Sequence, residues 1–460
     1  MIEIGADAFK GCIGLTSIRI PNSVTSICTS AFQNCSGLTS VIISNSITKI
    51  SRYTFLNCTG LTSIEIPNSV TEIEDAAFQN CSELTSIEIP DSVMKIGHYA
   101  FQFCTGLTSI EIPNSVTKIG GGAFNGCKKL TSIDIPESVT KIGDHAFDAC
   151  SSLSSIIVSK NNDNYKSTNN CCLSKNGTKL LFGCNNSIIP KDVTEIEDSA
   201  FAGRSELTSI EIPSSVTKIG NYAFHGCTGL KSLKINNGVI EIGHSAFFGC
   251  SGLPSVEIPE SVTKIEDSAF HYCSSLSSII VSKNNANYKS TNNCCLSKDG
   301  TKLLFGCKSS DIPNTVTEIT KGAFWSCKEL TSIKIPTSVT VIGDRAFEGC
   351  EGLTSIELSN SVTVIGDSAF EGCKKLVSIE IPNSVTRIEG YPFRDCSGLS
   401  FICIHTKERD PHKSEERILL LLRILRNPIV TLKVPIGCGY AYRHHPDFAG
   451  KFKEVLAVLD

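Results

Sequence analysis

Cysteine is the residue type with the clearest capacity for chemistry in this chain, because a thiolate can act as a nucleophile, a metal ligand or half of a disulfide. The chain has 460 residues and 23 cysteines. Fourteen of them recur at one position, three residues after a regularly spaced phenylalanine, and we call them the ladder cysteines. They are Cys12, Cys35, Cys58, Cys81, Cys104, Cys127, Cys150, Cys227, Cys250, Cys273, Cys327, Cys350, Cys373 and Cys396. Arg204 stands at this position in the remaining repeat.

Two interpretations of the ladder cysteines compete. Free cysteine packs as a compact apolar group, so the spacing favours one buried, reduced thiol per repeat, which suits a cytosolic or anaerobic setting. The alternative is a disulfide or metal framework. Each ladder cysteine would have two equivalent neighbours, however, and no Cys-x-x-Cys pair is present. A second group of cysteines consists of three in each of two similar segments: Cys171, Cys172, Cys184, Cys294, Cys295 and Cys307. No histidine lies near them in the sequence to complete a metal site. We therefore predict no metal and no cofactor.

The other side chains that could catalyse a reaction do not converge. Five histidines are spread over three different positions of the repeat: His98, His145, His225, His244 and His271. The tail holds a grouping without recognised ligand spacing: Cys403, His405, His412, Cys438, His444 and His445. Serines recur at one position, exemplified by Ser92 and Ser115, which predicts a hydroxyl ladder that satisfies turn amides. Since there is also no Gly-x-Ser-x-Gly elbow or phosphate loop, we predict no catalytic residue and no enzymatic activity.

The element that positions these residues is a repeat of 23 residues, marked by its anchor phenylalanine. The anchors are Phe9, Phe32, Phe55, Phe78, Phe101, Phe124, Phe147, Phe201, Phe224, Phe247, Phe270, Phe324, Phe347, Phe370 and Phe393. Two near-copies of a longer segment, about residues 153–190 and 276–313, enlarge the repeat, and they start 123 residues apart. A larger block has therefore been duplicated.

A typical unit spans residues 107–127. Ile110 and Ile112 are two apart and face one side of a predicted strand, while Glu111 faces the other. A proline then ends the strand, further apolar residues point inward, glycines permit the corner, and Ala-Phe fills the opposite side. One unit cannot bury these groups alone, but stacked units with parallel strands can. The pattern predicts a mainly β solenoid with short turns.

The predicted solenoid covers residues 1–405, and residues 406–460 form a C-terminal capping segment. Each long segment contains a hairpin with an Asn-Gly or Asp-Gly turn. Met1 aligns with Val24 of the next repeat, so the chain starts in mid-repeat, and we expect a missing upstream segment.

Charge and hydropathy exclude some partners. A net charge of -4 leaves no excess of Lys and Arg to grip a phosphate backbone, which argues against nucleic acid. The longest apolar run, Ile418 to Leu422, is far short of the roughly 20 residues of a membrane span, and no signal peptide is visible. We expect a monomer without a transmembrane segment.

The residue between the two strand isoleucines points away from the core and is mostly acidic. These residues, the acidic strand face, are Glu65, Glu88, Glu111, Asp134, Glu211, Glu257, Glu357 and Glu380. Stacked like charges repel, so the core does not require them. One interpretation is a solvated face that keeps the protein soluble. The other is a surface that binds a basic partner or gathers divalent cations.

The string Leu-Thr-Ser-Ile-x-Ile-Pro-x-Ser-Val-Thr-x-Ile-Gly-x-x-Ala-Phe-x-x-Cys, as in residues 107–127, resembles the BspA-type leucine-rich repeat of bacterial and protist surface proteins. The resemblance spans almost the whole chain, and the long segments are similar to a variant coil of that family. It implies a leucine-rich repeat solenoid that adheres to host or microbial surface macromolecules, at the cell surface or secreted. The alternative is an intracellular leucine-rich repeat scaffold or effector.

Overall fold

The computed structural model describes residues 2–404 and the strands Thr431–Pro435 and Glu454–Val458. It divides the chain into two compact units. The first comprises Met1–Leu230 and Ile242–Ala246, and the second comprises Lys231–Glu241 and Phe247–Asp460. Both are built from coils, each coil being one copy of the repeat, and the described residues contain strands and turns but no helix. The predicted all-β solenoid is confirmed.

The first strand of each coil belongs to what we call the first ladder. Its Ser-Ile-x-Ile sequence alternates exposed and buried side chains, because successive strand residues point to opposite faces. Neighbouring coils pair in parallel one repeat apart, as where Ser132 lies opposite Ser155. The strands are Ser17–Arg19, Ser40–Ile42, Ser63–Glu65, Ser132–Ile135, Ser155–Val158, Ser209–Ile212, Ser232–Ile235, Ser255–Ile258, Ser278–Val281, Ser332–Lys334, Ser355–Glu357, Ser378–Ile381 and Phe401–Ile404.

The coil of residues 107–127 has the predicted alternation of buried and exposed side chains but not the predicted strand. Ile110 and Ile112 are buried and Glu111 is exposed. Residues 109–112 nevertheless form no regular strand, and the preceding coil contributes a single bridge at Glu88. Burial of the isoleucines, rather than a regular hydrogen-bond ladder, therefore sets the direction of the side chains here.

A second ladder follows the turn of each coil. Its short strands place an isoleucine inward and, in most coils, a charged residue outward, and they also pair in parallel, as where Lys95 lies opposite Lys118. The strands are Ile2–Ile4, Val24–Ile27, Lys49–Ile50, Glu72–Ile73, Lys95–Ile96, Lys118–Ile119, Lys141–Ile142, Glu195–Ile196, Lys218–Ile219, Glu241–Ile242, Lys264–Ile265, Glu318–Ile319, Val341–Ile342, Val364–Ile365 and Arg387–Ile388.

The anchor phenylalanines form a column of rings in the core of each unit. Phe78, Phe101 and Phe124 are fully buried, and successive ring centroids are 5.4 Å apart with planes only 4° and 5° from parallel. Each buried aromatic pair contributes about 0.5–1.5 kcal/mol beyond its buried area. Ala123 is buried beside Phe124, as the sequence predicted.

Serine hydroxyls connect each coil to the one before it. Ser92 Oγ donates to the carbonyl of Val70 at 2.6 Å, and Ser115 Oγ donates to that of Val93 at 2.7 Å. The predicted hydroxyl ladder exists, but these hydroxyls donate to carbonyls. The expectation that the ladder satisfies turn amides holds at Ser261, whose Oγ accepts from the Gly238 amide at 2.9 Å. The Val93 amide already donates to the Pro90 carbonyl, so the valine carbonyl is the group that the next hydroxyl reaches.

The corner glycines serve two purposes. A Cβ at Gly120 would lie 2.4 Å from the carbonyl carbon of Gly97 in the preceding coil, so this glycine permits close approach. Gly122 (φ 62°), two residues before the anchor Phe124, has the left-handed backbone conformation, which Tyr99 (φ 57°) adopts at the same position one coil earlier. The predicted role of glycine in the corner therefore holds at Gly122, whereas Gly120 is needed for space.

Each long segment adds three antiparallel strands that join the second ladder. The strands are Tyr165–Thr168, Cys171–Ser174 and Lys179–Gly183 in the first copy, and Tyr288–Thr291, Cys294–Ser297 and Lys302–Phe305 in the second. Gly177 in the first turn has a φ of 83°, which confirms the Asn-Gly hairpin. The first strand of each set was not predicted, because its Tyr-Lys-Ser-Thr sequence lacks apolar alternation.

The C-terminal strands Thr431–Pro435 and Glu454–Val458 extend the first ladder in parallel from Phe401–Ile404. The other residues from 405 to 460 lie outside the described part of the chain. The capping segment, and the tail grouping of His405, His412, Cys438, His444 and His445, therefore stay predictions.

Candidate binding face

The first ladder carries all eight residues of the acidic strand face outward. Each occupies the position between two inward-facing apolar side chains, and the strand geometry turns it away from the core. The exposed residues are Glu65, Glu88, Glu111, Asp134, Glu211, Glu257, Glu357 and Glu380. The structure thus places every sequence-predicted binding residue on the surface.

Four of these carboxylates form a continuous run in the first unit. Glu65 and Glu88 are direct parallel neighbours, and Glu111 and Asp134 occupy the same position in the next two coils. Within residues 2–404, no ion pair joins any of the four to a basic side chain. The coils that carry Glu88 and Glu111 are also the two without a regular first-ladder strand. Like charges stacked at about 4.8 Å repel, so this run carries unbalanced negative charge.

Isoleucines flank the run on the same row. Ile42 pairs with Glu65 in register and is 44% exposed, and Ile157 pairs with Asp134 and is 55% exposed. An apolar side chain therefore stands at each end of the four carboxylates. The outward row of the first ladder therefore changes from acidic to apolar at both ends of this run.

In the second unit, a lysine lies next to the carboxylates of the acidic strand face. Lys334 lies opposite Glu357 in register, so positive and negative side chains adjoin. With Glu380, they line a groove of about 760 Å³ along the outward side of the strands. Glu257 also belongs to this unit, whereas Glu211 belongs to the first.

On the second ladder, some acidic and basic side chains of neighbouring coils form ion pairs. Lys95 Nζ lies 2.5 Å from a Glu72 carboxylate oxygen of the preceding coil. Lys179 Nζ lies 2.9 Å from Glu195 and 2.7 Å from Glu197, and this contact raises the pKa of the lysine and lowers that of Glu195. Ion pairs between coils therefore occur on the second ladder, while none joins the acidic run of the first unit to a basic side chain among the described residues.

The ladder cysteines are buried free thiols, apart from the exposed Cys12 of the first coil. Cys58 Sγ donates to the Phe32 carbonyl at 3.1 Å, and Cys104 Sγ donates to the Phe78 carbonyl at 3.1 Å. Burial raises the pKa of both thiols to about 12. A thiol that stays protonated is neither a nucleophile nor a metal ligand, so the ladder is structural. Each thiol fills a small space and satisfies a backbone carbonyl.

The histidines remain scattered over the turns, as the sequence indicated. His145 Nδ1 lies 2.8 Å from a carboxylate oxygen of Asp148. Among the described residues, no group of three or more His, Cys, Asp or Glu side chains is arranged to hold a metal ion.

Sequence reasoning missed two features beside the first long segment. One is Arg204, which is 1% exposed and donates from Nε to the Gly183 carbonyl at 2.9 Å. The other is a cleft of about 430 Å³ where the coil of His145 meets the inserted strands and the coils that follow. Its residues come from separate coils at different repeat positions, so only the departure of Arg204 from the ladder could have drawn attention to this region.

Two parallel ladders around a column of anchor side chains define a leucine-rich repeat solenoid. The sequence profile described as the BspA type leucine rich repeat region matches residues 2–105, 71–193, 194–299 and 303–409. The chain therefore belongs to the BspA-type leucine-rich repeat family. A search among curated proteins finds no match.

Several solved structures are similar to this chain. A leucine rich cell surface protein from Faecalibacterium prausnitzii is 26% identical, and the match covers 87% of this chain and 88% of that one with a TM-score of 0.49. A leucine-rich repeat protein from Bacteroides ovatus is 28% identical over 96% and 92% of the two chains, with a TM-score of 0.41. The pneumococcal vaccine antigen PcpA is 19% identical over 75% and 85%, with a TM-score of 0.51, and supports the fold alone.

Among the described residues, no helix has the length and the apolar character that crossing a lipid bilayer requires.

Proposed function

We propose that this chain is a non-enzymatic binding protein that docks a macromolecule with a basic surface on the acidic strand face, as an adhesin-like surface protein. One observation carries the proposal. Glu65, Glu88, Glu111 and Asp134 stack on neighbouring coils without ion pairs among the described residues, whereas the second ladder pairs Lys95 with Glu72 of the preceding coil and Lys49 with Glu74 of the next. The solenoid evidently can balance charge between coils, so the unbalanced row calls for a partner outside the chain.

The energetics favour a role in recognition over a role in folding. Directly adjacent like charges destabilise a sheet by about 0.2–1 kcal/mol per pair. A basic partner would remove that repulsion and gain complementary contacts, and the field of the row would steer its approach. Such an interaction weakens with salt, because exposed charges are screened beyond roughly 8 Å at physiological ionic strength.

The location at a cell surface is part of the proposal. Family membership supports it, and so does similarity to the cell surface protein from F. prausnitzii. A second candidate, an intracellular scaffold or effector, is favoured by the many free thiols, which a reducing compartment preserves. Protease shaving of intact producing cells distinguishes the two, since only a surface protein is cleaved before lysis.

The test is a triple charge reversal, Glu65→Lys, Glu88→Lys and Glu111→Lys. A matched control reverses three exposed acidic residues outside the row: Glu83→Lys, Asp91→Lys and Asp163→Lys. Both variants change net charge equally. Binding to immobilised host matrix proteins and to a decalysine peptide is measured by surface plasmon resonance over a range of salt.

We expect the row variant to bind at least about tenfold more weakly, equivalent to about 1.4 kcal/mol, and to lose most of its salt dependence. The control should bind as the unmodified protein does, and both variants should keep its melting temperature. Unchanged binding by the row variant, or an equal loss in the control, would return the acidic strand face to the role of a solvated surface.

A further inference from the structure

The cleft beside the first long segment has the size of a small-molecule site. Its volume of about 430 Å³ lies within the range of roughly 300–1,000 Å³ that is usual for ligand pockets. It is lined on one side by His145 and Asp148, on another by Tyr165 of the inserted strands, and on a third by Asn221 and Tyr222. All of these residues belong to the first unit.

The cleft is ordered by hydrogen bonds that exist before any ligand enters. The Asp198 carboxylate accepts from the Asn221 backbone amide at 2.7 Å and from its side-chain Nδ2 at 3.2 Å. Asn221 Oδ1 in turn accepts from the His244 backbone amide at 2.9 Å. The carboxylate and the amide are therefore fixed side by side, which lowers the entropy cost of binding.

Three of the four acidic side chains that line the cleft already have a donor within the protein. Glu197 accepts from Lys179 Nζ at 2.7 Å, and Asp148 accepts from His145 at 2.8 Å, while Asp198 is held by Asn221. Asp144 is the fourth acidic group. These internal donors occupy only some of the carboxylate lone pairs. What remains is a set of acceptors suited to neutral hydroxyl donors.

Tyrosine rings supply the apolar part of the cleft. The Tyr222 side chain is 42% exposed, and its ring meets that of His244 edge-on at 5.3 Å. The Tyr165 hydroxyl accepts from the Ile142 amide at 3.0 Å, so its phenol oxygen is tied to the backbone. Exposed aromatic faces next to fixed acceptors match a molecule with C–H groups on one face and hydroxyl groups around its edge.

We propose that this cleft binds a neutral glycan, such as a terminal mono- or disaccharide of a surface glycoconjugate. The pyranose ring packs against Tyr222, and its hydroxyl groups donate to Asp198, Asp148 and the Asn221 side chain. Anionic sugars are disfavoured, because four carboxylates line the cleft. The proposal concerns a site separate from the acidic strand face and does not depend on it.

The duplicated block provides a comparison within the same chain. At the positions that correspond to Asp198 and Tyr222, the second copy has Lys321 and Arg345. At the position of Asp148 it has His271. An acceptor and a ring have thus been replaced by cations, so the second copy should not bind the same ligand.

The test titrates the full chain with lactose, N,N′-diacetylchitobiose and sialyllactose, and follows binding by saturation-transfer NMR and calorimetry. Tyr222→Ala removes the ring, and Tyr222→Phe keeps it. The pair Asp198→Lys with Tyr222→Arg copies the second block into the first. Arg345→Ala is the control at the corresponding position, and a melting curve checks the fold of each variant.

We expect at least one neutral disaccharide to bind, with sialyllactose at least tenfold weaker. Tyr222→Ala and the double variant should lose binding by tenfold or more, while Tyr222→Phe and Arg345→Ala retain it. Absence of binding by both neutral sugars overturns the proposal, as does equal binding of sialyllactose or indifference to Tyr222→Ala in a folded protein. None of these results alters the charge-reversal test of the acidic strand face, so the two proposals fail separately.

Discussion

Arg204 offers a sharp test of how this solenoid tolerates a charge in its core. Its side chain is 1% exposed, Nε donates to the Gly183 carbonyl at 2.9 Å, and Nη1 donates to the Ala202 carbonyl at 3.4 Å. In the duplicated block the corresponding residue is Cys327, whose thiol lies 3.9 Å from the corresponding Gly306 carbonyl. Arginine therefore takes over the contact of a ladder cysteine and adds a buried positive charge.

Asp148 supplies negative charge for this guanidinium. Burial raises the pKa of its carboxyl group, and the hydrogen bond from His145 and the charge of Arg204 oppose that rise. The duplicated block has His271 at this position, so both members of the charge pair are replaced together. This joint replacement suggests that the two charges depend on each other.

We predict that Arg204→Met lowers the stability of the surrounding coils by about 3 kcal/mol. Loss of the guanidinium leaves the buried Gly183 carbonyl without the donor that lies 2.9 Å away, and an unsatisfied buried acceptor costs about 1–3 kcal/mol. The Asp148 carboxyl group also loses an opposing positive charge. Adding Asp148→Asn removes the uncompensated carboxylate. The double variant should therefore recover about 1–2 kcal/mol of coupling energy.

The pH dependence follows from the raised pKa of Asp148. A carboxyl group whose folded-state pKa exceeds its unfolded value favours folding when protonated, and this contribution is lost as pH rises through the folded pKa. Without Arg204 the pKa rises further, because the opposing positive charge is gone. The loss caused by Arg204→Met should be largest near pH 7 and shrink as pH falls toward about 4, the ordinary carboxyl range.

Hydrogen exchange at the amides of residues 201–223 measures this local stability, since long repeat arrays do not unfold as one two-state unit. Arg52→Met is the control, because Arg52 pairs with Asp75 at 3.4 Å but its side chain is 61% exposed, and such pairs contribute about 0–1 kcal/mol. Equal effects of the two substitutions would refute the reasoning, and so would a double variant less stable than Arg204→Met alone.

Two further predictions concern the repeat itself. Iodoacetamide should label Cys12 in the native protein but not Cys58 or Cys104, whose buried thiols have a pKa of about 12, and unfolding should expose them all; rapid native labelling of Cys58, read by mass spectrometry, would contradict this. Gly120→Ala should destabilise the protein by about 1–3 kcal/mol in urea unfolding, because its Cβ would meet the Gly97 backbone at 2.4 Å. Gly14→Ala, with nothing within 4 Å of the new Cβ, should be nearly neutral, and equal midpoint shifts would count against the argument.

The sequence predicted the fold well because one signal recurs in every coil. The anchor phenylalanines keep a fixed spacing, so each ring must meet the next, and Phe101 and Phe124 do stack at 5.4 Å. The inward isoleucines and the ladder cysteines follow by the same logic. Periodicity thus determines which residues face the core, whatever the details of their hydrogen bonds.

Periodicity does not specify hydrogen-bond roles or backbone conformation, and the sequence-based expectations held there only in part. Ser92 donates to a carbonyl instead of satisfying an amide, because the neighbouring turn amide is already used. Gly120 has an ordinary φ, and the left-handed conformation falls two residues later, at Gly122, and at Tyr99 in the preceding coil. These outcomes depend on distances between coils, which no single repeat encodes.

The candidate binding face and the cleft were likewise predictable from the sequence only in part. The outward direction of Glu65 and Glu111 follows from alternation alone, so their exposure could be predicted. Their lack of ion pairs among the described residues could not be predicted, because it depends on which charges the fold brings close together. The cleft was missed because His145, Tyr165 and Tyr222 occupy unrelated positions of the repeat and meet only where the inserted strands interrupt it.

The two copies of the duplicated block can be compared where the inserted strands interrupt the repeat. Both copies keep the elements that close the core: the Phe182 ring is tilted against that of Phe147 with centroids 4.8 Å apart, and Phe305 stacks on Phe270 at 5.1 Å. In a regular coil, each side chain lies beside the same position of the coils before and after it. The inserted strands interrupt this arrangement on one side, and it is here that the copies differ in charge and ring content, as at Tyr222. Variation is therefore least costly where the repeat is interrupted, so interruptions are where a solenoid of this family can acquire specificity without losing its core.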